Sequence, residues 1–258
     1  MASLFEEHGG ESMHGTTSSS AEAGSMPLAR SKTIGVIGGM GPETTAGFYL
    51  RIIDLCRERG VPVRPAVSIF SVPLPLALES AALSGKGGVE PYLPILLDAA
   101  IRLERSGADF IVMPCNSMHV FIEQIRASVR IPVHSIVDAS MDYLSSRGFG
   151  NVMLLATSIT SRSKLYETAA KARPGLAVRV PSAAGQERLD SVVVSLVSGS
   201  RLPWQKDALR DAIEAAEGCD CVLLACTDLQ ILEPVSDRIA ILDTMEILAQ
   251  RAVDQILS

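Results

Sequence analysis

The sequence predicts an α/β fold made of two similar halves, each with a sheet of parallel strands. From Thr33 onward, short β-rich runs alternate with longer helical stretches, which is the pattern of parallel strands joined by helices. The chain also repeats itself, because Ser106–Asn116 is echoed by Glu217–Thr227. Two further pairs match in the same order: Thr33–Gly41 with Asn151–Ser158, and Arg130–Asp138 with Arg238–Asp243. We therefore expect two α/β halves related by a pseudo-two-fold axis.

The first half opens with a strand over Thr33–Gly38, whose continuous apolar character is expected when helices cover both faces of a sheet. Pro42 suits the first position of the following helix, and Gly60 suits the left-handed residue beyond its end. The apolar stripe of this helix predicts Cys56 as a core residue. A second strand is expected over Ala66–Val72. The next predicted elements are a loop containing Ser84–Gly88, Pro91 and Pro94, and a helix ending near Ser106.

The composition argues against several classes of partner. The chain of 258 residues has a net charge of −6 and no basic stripe, so neither nucleic acid nor an anionic membrane surface is an expected partner. It has no continuous apolar run long enough to predict a membrane span. Residues 1–31 combine small and hydroxyl side chains without an apolar period, and we expect them to form a disordered leader or an artificial tail.

The five cysteines are an odd number in a chain without a signal peptide, which predicts reduced thiols in the cytoplasm. Cys219, Cys221 and Cys226 are close in sequence, but they follow one apolar strand run. The folded part contains only two histidines, His119 and His134, so a tetrahedral ligand set would be hard to complete. We predict no metal site.

Cys115 and Cys226 each end a predicted strand at equivalent positions of the repeat. Ligands of open α/β sheets bind beyond the carboxyl ends of the strands, so both thiols are expected in the cleft between the halves. Inversion of a carbon centre requires a base on one face and an acid on the other, and a thiol with a pKa of about 8.5 can serve as either. Peptide N–H groups at the following helix starts would stabilise a thiolate and bind a carboxylate. The alternative is that both are buried small apolar side chains.

Several motifs accompany the two cysteines. The most specific are IGVIGGMGPETT (Ile34–Thr45), MPCNSMH (Met113–His119) and ACT (Ala225–Thr227), with support from LLAT (Leu154–Thr157), Tyr166 and LDT (Leu242–Thr244). In this order they resemble the aspartate/glutamate racemase superfamily, nearest its aspartate-racemase branch. The resemblance spans about Lys32 to Ile256.

This resemblance implies two Rossmann-like domains with the active site in the cleft between them, and assembly as a homodimer. Domain 1 would comprise residues 33–131 plus 241–258, and domain 2 residues 132–240. The implied activity is that of an isomerase, a cofactor-independent amino-acid racemase that interconverts L- and D-amino acids with Cys115 and Cys226 as the two bases. The residues implied to bind the small-molecule amino-acid substrate are Met40, Gly41, Thr45, Asn116, Ser117, Thr157 and Thr227.

The glycine motif also allows a competing interpretation as a dinucleotide fingerprint. The third glycine is missing, because Thr44 stands in its place, and no acidic residue closes the strand Ala66–Val72 to bind a ribose. A nucleotide is therefore not expected. A thiol pair also makes the electron sink of pyridoxal phosphate unnecessary, so we predict no cofactor.

Some positions of the chain depart from the family pattern, and they leave the identity of the substrate side chain open. Aspartate racemases place an arginine after the second strand, where this chain offers Leu78 or Glu79, and a lysine where it has Val197. A buried carboxylate without a cationic partner is costly, so the substrate need not be aspartate, although the family favours an acidic amino acid. Glu79 either binds a cationic or polar side chain of the substrate or is an exposed loop carboxylate. Other cations that could supply charge are Arg51, Arg162 and Lys164.

Two residues next to the cysteines are candidates for tuning them. His119 lies one helical turn beyond Cys115, where it either tunes the thiol or is a hydrogen-bonded structural histidine. Asp228 stands where the family more often has glutamate, and it keeps the charge on a shorter side chain.

The same scaffold supports other chemistries, which remain alternatives: hydantoin racemization, maleate isomerization and malonate decarboxylation. Some of these require only one cysteine or use it as a nucleophile. A non-catalytic amino-acid-binding module is a further alternative. The intact pair of Cys115 and Cys226 favours the racemase over all of them.

Overall fold

The structure is a computed structural model that describes residues 32–258. The predicted leader, residues 1–31, lies outside the described residues. The described residues form one compact unit. Among the described residues, no helix is both long and apolar enough to cross a membrane.

Two four-stranded parallel sheets form the framework. The first has the order β2-β1-β3-β4, with β1 Thr33–Gly38, β2 Ala66–Ser71, β3 Phe110–Val112 and β4 Val133–His134. The second has the order β6-β5-β7-β8, with β5 Asn151–Ala156, β6 Ala177–Arg179, β7 Cys221–Ala225 and β8 Ala240–Asp243. Equivalent strands hold equivalent places in the two sheets, which confirms the predicted α/β fold with two similar parallel halves. The exact domain boundaries stay a prediction.

Ten α-helices connect and cover the strands of the described chain. They are α1 Pro42–Glu58, α2 Leu76–Leu83, α3 Tyr92–Arg105, α4 Ile122–Ser128, α5 Ile136–Ser146, α6 Ser158–Ser163, α7 Leu165–Lys171, α8 Ala183–Val197, α9 Pro203–Glu214 and α10 Thr244–Leu257. Two short 3₁₀ helices, Ser117–Phe121 and Leu229–Leu232, follow β3 and β7. The chain after each cysteine therefore turns directly into a helical segment, as the motifs predicted.

The segment between β2 and β3 differs from the prediction. α2 occupies residues 76–83, and Pro94 lies in the first turn of α3 instead of in the loop. Proline is tolerated there because the first N–H groups of a helix have no partner inside it. The start of α1 at Pro42 and the left-handed Gly60 beyond its end are as predicted.

The largest apolar core is shared by the two halves. It combines the inward faces of both sheets with α1, α5 and α10, and Phe48, Val152 and Leu248 are fully buried in it. Cys56 also lies in this core, which confirms its predicted role. Separate cores cover the outer face of each sheet. The shared core packs the two halves against each other. The carboxyl ends of their central strands lie at the same cavity.

Candidate active site

A cavity of about 60 Å³ lies at the carboxyl ends of the central strands. Its walls include the segments that follow β1, β3, β5 and β7, and its far side is formed by helices α2, α3 and α8. The residues that line it are Met40, Gly41, Leu74, Glu79, Ala82, Leu83, Tyr92, Cys115, Asn116, Ser117, Met118, Thr157, Ile159, Val193, Val197, Cys226, Thr227 and Asp228. Both predicted catalytic cysteines belong to this lining.

Cys115 follows β3 and is partly exposed to the cavity. Burial raises the pKa of its thiol to about 11, while the backbone N–H groups of Met118 and Ser117 act in the opposite direction. These N–H groups belong to the 3₁₀ helix that begins directly after the cysteine. They can stabilise negative charge on the sulfur because N–H groups at the start of a helix have no partner within it.

Cys226 follows β7 and is 6% exposed. Burial raises the pKa of its thiol well above its usual value, with further increases from the Asp228 carboxylate and from Cys115. The backbone N–H groups of Asp228 and Leu229 lower it, as Ser117 and Met118 do for Cys115. The Cys226 Sγ lies 4.0 Å from Asp228 Oδ2. The second thiol therefore has a similar backbone environment and a carboxylate beside it.

The loop after β1 is shaped by Thr45. Its Oγ1 accepts a hydrogen bond from the Gly39 N–H and donates one to the Gly41 carbonyl, both at 2.9 Å. Gly39 has a φ of +92°, and a side chain there would collide with the backbone of Val72. Thr45 is not among the residues that line the cavity, and its hydrogen bonds hold the loop that places Met40 and Gly41 in the wall. Its contact with the substrate stays a prediction.

Hydroxyl and carboxylate groups after each cysteine reach into the opposite half. Ser117 Oγ lies 2.8 Å from Thr157 Oγ1 and 3.1 Å from Thr160 Oγ1. Thr44 Oγ1 donates to Asp228 Oδ1 at 3.0 Å. Thr44 was absent from the predicted site, and only its neighbour Thr45 was expected there. These bonds fix the walls of the cavity across the junction of the halves.

Asn116 takes part in a buried network behind Cys115. Tyr166 Oη donates to Asn116 Oδ1 at 2.5 Å, and Asn116 Nδ2 donates to Thr244 Oγ1 at 3.0 Å. Thr244 Oγ1 in turn donates to the Leu224 carbonyl in the strand that carries Cys226. The network therefore connects the two cysteine-bearing segments through polar groups that are fully enclosed.

The far wall contains residues that the sequence motifs did not indicate. Leu74, Leu83, Ile159 and Val193 make it largely aliphatic, and Val197 lines it as well. Burial raises the pKa of the Tyr92 phenol, and Glu79 and Cys115 lie close enough for their charges to raise it further. No local sequence signal distinguishes these side chains from ordinary core positions of helices.

Glu79 lies on α2 and faces the cavity as part of its lining, so the interpretation as an exposed loop carboxylate is wrong. Burial raises the pKa of its carboxyl, and the charges of Asp228 and Glu43 raise it further. Glu79 therefore shares the site with other carboxylates.

His119 is buried and does not line the cavity. Its Nδ1–H donates to the Cys115 carbonyl at 2.7 Å, and its Nε2 accepts from the Ile136 N–H at 3.0 Å. Burial lowers the pKa of the imidazole to about 4. The structure therefore places His119 as a neutral structural histidine that holds the backbone of Cys115.

The predicted cations lie away from the cavity. Lys164 is the left-handed residue between α6 and α7, and it is not in the lining. Arg51 forms ion pairs with Glu246 and Glu58, which raise the pKa of its guanidinium. Arg162 borders a separate groove beside α8. In the part of the chain that the structure describes, the cavity lining contains no lysine or arginine.

Comparison with known proteins agrees with this architecture. The family model described as Asp/Glu/Hydantoin racemase matches residues 37–252. The chain therefore belongs to the Asp/Glu/hydantoin racemase family.

This chain matches individual relatives over nearly their whole length. The broad specificity amino-acid racemase RacX of Bacillus subtilis (strain 168) is 26% identical over 87% of this chain and 98% of its own. An aspartate racemase homologue from Pyrococcus horikoshii OT3 is 28% identical with a TM-score of 0.70, covering 88% of this chain and 100% of its own. The aspartate racemase of Picrophilus torridus, at 22% identity over 87% of this chain and 94% of its own, shares the fold with a TM-score of 0.69.

Proposed function

We propose that this protein is a cofactor-independent amino-acid racemase in which Cys115 and Cys226 exchange the roles of base and acid. The observation that carries the proposal is their placement at the ends of equivalent strands in the lining of one cavity, each with two backbone N–H groups near its sulfur. Family membership and the amino-acid racemase among the relatives support racemase chemistry.

The reaction needs only proton transfer. A thiolate on one side of the substrate forms an S–H bond while the Cα–H bond breaks, and the electron pair is delocalised into the α-carboxylate. The thiol on the other side then transfers its proton to the opposite face of Cα, which inverts the configuration. Atoms and electrons balance without an oxidant, and each turnover leaves the two cysteines with exchanged protonation states.

The backbone supplies the stabilisation that each thiolate requires. Burial raises both pKa values, and the backbone N–H groups that follow Cys115 and Cys226 act in the opposite direction. The substrate α-ammonium adds a positive charge, which further favours a thiolate. Deprotonation therefore becomes easier when the cavity is occupied.

The polar lining can anchor the common part of an amino acid. Ser117, Thr157 and Thr227 present hydroxyl groups, and Asn116 presents its backbone next to the reacting sulfur. We assign them to the α-carboxylate and α-amino groups, with Met40 and Gly41 closing the side of the cavity after β1. This arrangement leaves the far wall for the substrate side chain.

The test is a panel of L- and D-amino acids incubated with the protein in D2O, followed by NMR of the α-proton and by chiral chromatography. Solvent deuterium incorporation with inversion is expected for at least one amino acid. Inversion that survives a carbonyl-trapping reagent such as hydroxylamine would support independence from pyridoxal phosphate. Racemization of hydantoins alone, turnover of maleate or malonates, or tight binding without exchange would each contradict the proposal.

The proposal extends to assembly and location. We carry the homodimer over from the family resemblance and the cytoplasmic location over from the odd number of cysteines, and light scattering coupled to size-exclusion chromatography tests the first of these. A monomer with full activity would show that assembly is not required for the site.

A further inference from the structure

We propose that the substrate of this cavity is an amino acid with a cationic side chain, and that Glu79 recognises that cation. This inference rests on the racemase function proposed above. It concerns the far wall, which helices α2, α3 and α8 build opposite the strand ends.

The first step is the charge of the lining. Glu79 and Asp228 are its two ionisable carboxylic acids, and among the described residues no lysine or arginine lines the cavity beside them. Glu43 lies just outside and is close enough to raise the pKa of both carboxyls. Arg201 lies outside the lining, and its charge lowers the pKa of Asp228 from there, but its side chain is exposed and donates to the carbonyls of Leu196 and Ser200.

The second step is the charge of the ligand. An amino acid carries one carboxylate and one ammonium group on its α-carbon, so its side chain decides its net charge. A side-chain carboxylate would add a third negative group to a cavity that offers it no cationic partner, which costs free energy in a partly buried site. A side-chain ammonium or guanidinium would offset the negative charge, whichever way the substrate is oriented.

The third step separates the roles of the two carboxylates. Asp228 is held by Thr44 Oγ1 and lies beside the Cys226 thiol, so it belongs to the end of the cavity where the α-carbon reacts. Glu79 stands on α2, which also contributes Ala82 and Leu83 to the lining. We assign Glu79 to the end of the substrate side chain, because it lines the cavity from α2 and not from a segment that follows a cysteine.

The aliphatic part of the wall completes the match. Leu74, Leu83 and Val197 line the cavity together with Glu79. Lysine, ornithine and arginine have apolar methylene stems that pack on such surfaces while the charged end pairs with a carboxylate. A short acidic side chain would leave this surface uncovered. The wall thus fits an unbranched chain with a terminal cation.

The test compares L-lysine with L-norleucine, which has the same carbon chain but lacks the side-chain ammonium group. L-Aspartate and L-glutamate are measured beside them. We expect kcat/KM for racemization to be highest for lysine or another basic amino acid. Glu79→Gln should lower the ratio of kcat/KM for lysine to that for norleucine by about 10- to 100-fold, the effect of losing a charged hydrogen-bond partner. A ratio measured within one protein is insensitive to the folded fraction. Glu90→Gln, at an exposed position outside the lining, is the matched control and should leave the ratio unchanged.

The outcomes are distinguishable. Faster racemization of aspartate, glutamate or norleucine than of any basic amino acid would overturn this inference and leave the racemase proposal standing. An equal loss for lysine and norleucine in Glu79→Gln would show that Glu79 binds the α-ammonium, which overturns its assigned role. Absence of α-proton exchange for every amino acid would instead contradict the proposed function itself.

Discussion

The surroundings of Cys115 and Cys226 can be compared residue by residue, because the strands that carry them are equivalent. Two positions beyond Cys115 stands Ser117, whereas two positions beyond Cys226 stands Asp228. Both reach into the opposite half, Ser117 toward Thr157 and Asp228 toward Thr44. Both halves of the repeat therefore form a hydrogen bond across their junction, but only the second half places a negative charge there.

That charge acts more directly on one thiol than on the other. Burial raises the pKa of both thiols and the Asp228 carboxylate raises both further, but only for Cys226 is Asp228 the largest cause after burial, and its Oδ2 lies 4.0 Å from the Cys226 sulfur. Cys226 is also the more buried of the two. We therefore infer that the first proton to leave the pair comes from Cys115, and that Cys226 is the resting acid.

The largest expected effect comes from replacing either sulfur. Cys115→Ser and Cys226→Ser should each reduce racemization by about 10²- to 10⁴-fold, because a serine hydroxyl is a poor base near neutral pH. Each variant should keep some α-proton exchange with one enantiomer, since one thiol remains. Chiral chromatography and exchange in D2O measure the two quantities separately. Cys56→Ser, in the shared core, is the control for loss of a buried thiol, and normal racemization by Cys226→Ser would exclude the two-base scheme.

The next largest effect is expected at His119 and Gln230, which lie two positions beyond Ser117 and Asp228. Burial lowers the pKa of His119 to about 4, below its usual value of about 6.5, so the unfolded chain binds more protons between these values. The free energy of unfolding should therefore fall as the pH is lowered from about 6.5 to about 4, by about 3 kcal/mol in all. Above pH 6.5 this contribution is fully present.

His119→Gln, which copies Gln230 of the second half, should remove this part of the pH dependence. Urea unfolding at pH 7 and pH 4.5 measures it, with His134→Gln as the comparison at a less enclosed position. An unchanged slope in His119→Gln would show that acid sensitivity arises elsewhere.

The part of the site near the strand ends was predictable because it repeats. Parallel strands end at one edge of a sheet, so two matching segments with Cys115 and Cys226 predict a shared cleft without any coordinates. The family resemblance added Asn116, Ser117, Thr157 and Thr227, which also line the cavity. Their contact with the substrate stays a prediction.

The far wall could not be predicted in this way. α2 has the sequence LALESAAL, which is apolar almost throughout and has no helical stripe to show which side faces a ligand. Glu79 and Val197 become part of the cavity lining only because α2 and α8 pack over the strand ends. Thr44 and Thr45 illustrate the same limit, because adjacent residues of one motif point to different partners and only packing tells them apart.

A smaller effect is expected from the network that holds Asn116. Tyr166→Phe removes the donor to Asn116 Oδ1 and leaves a buried acceptor without that partner, which should cost about 1–3 kcal/mol of stability. Thermal or urea unfolding measures the loss. Tyr49→Phe, at a position that is 37% exposed, is the matched control and should have little effect. Equal stabilities of the two variants would argue against a structural role for this hydrogen bond.

The smallest effect tests the charge difference itself. Asp228→Asn keeps an acceptor for Thr44 and removes the negative charge beside Cys226, so the pKa of that thiol should fall. In a Cys115→Ser background, alkylation of Cys226 by iodoacetamide at pH 8 should become faster, by about tenfold for each pKa unit lost. Asp237→Asn, exposed in the same half, should leave the rate unchanged. A slower or equal rate in Asp228→Asn would mean that burial alone sets the pKa of Cys226, and the assignment of Cys226 as the resting acid would then rest on its lower exposure instead of on the carboxylate.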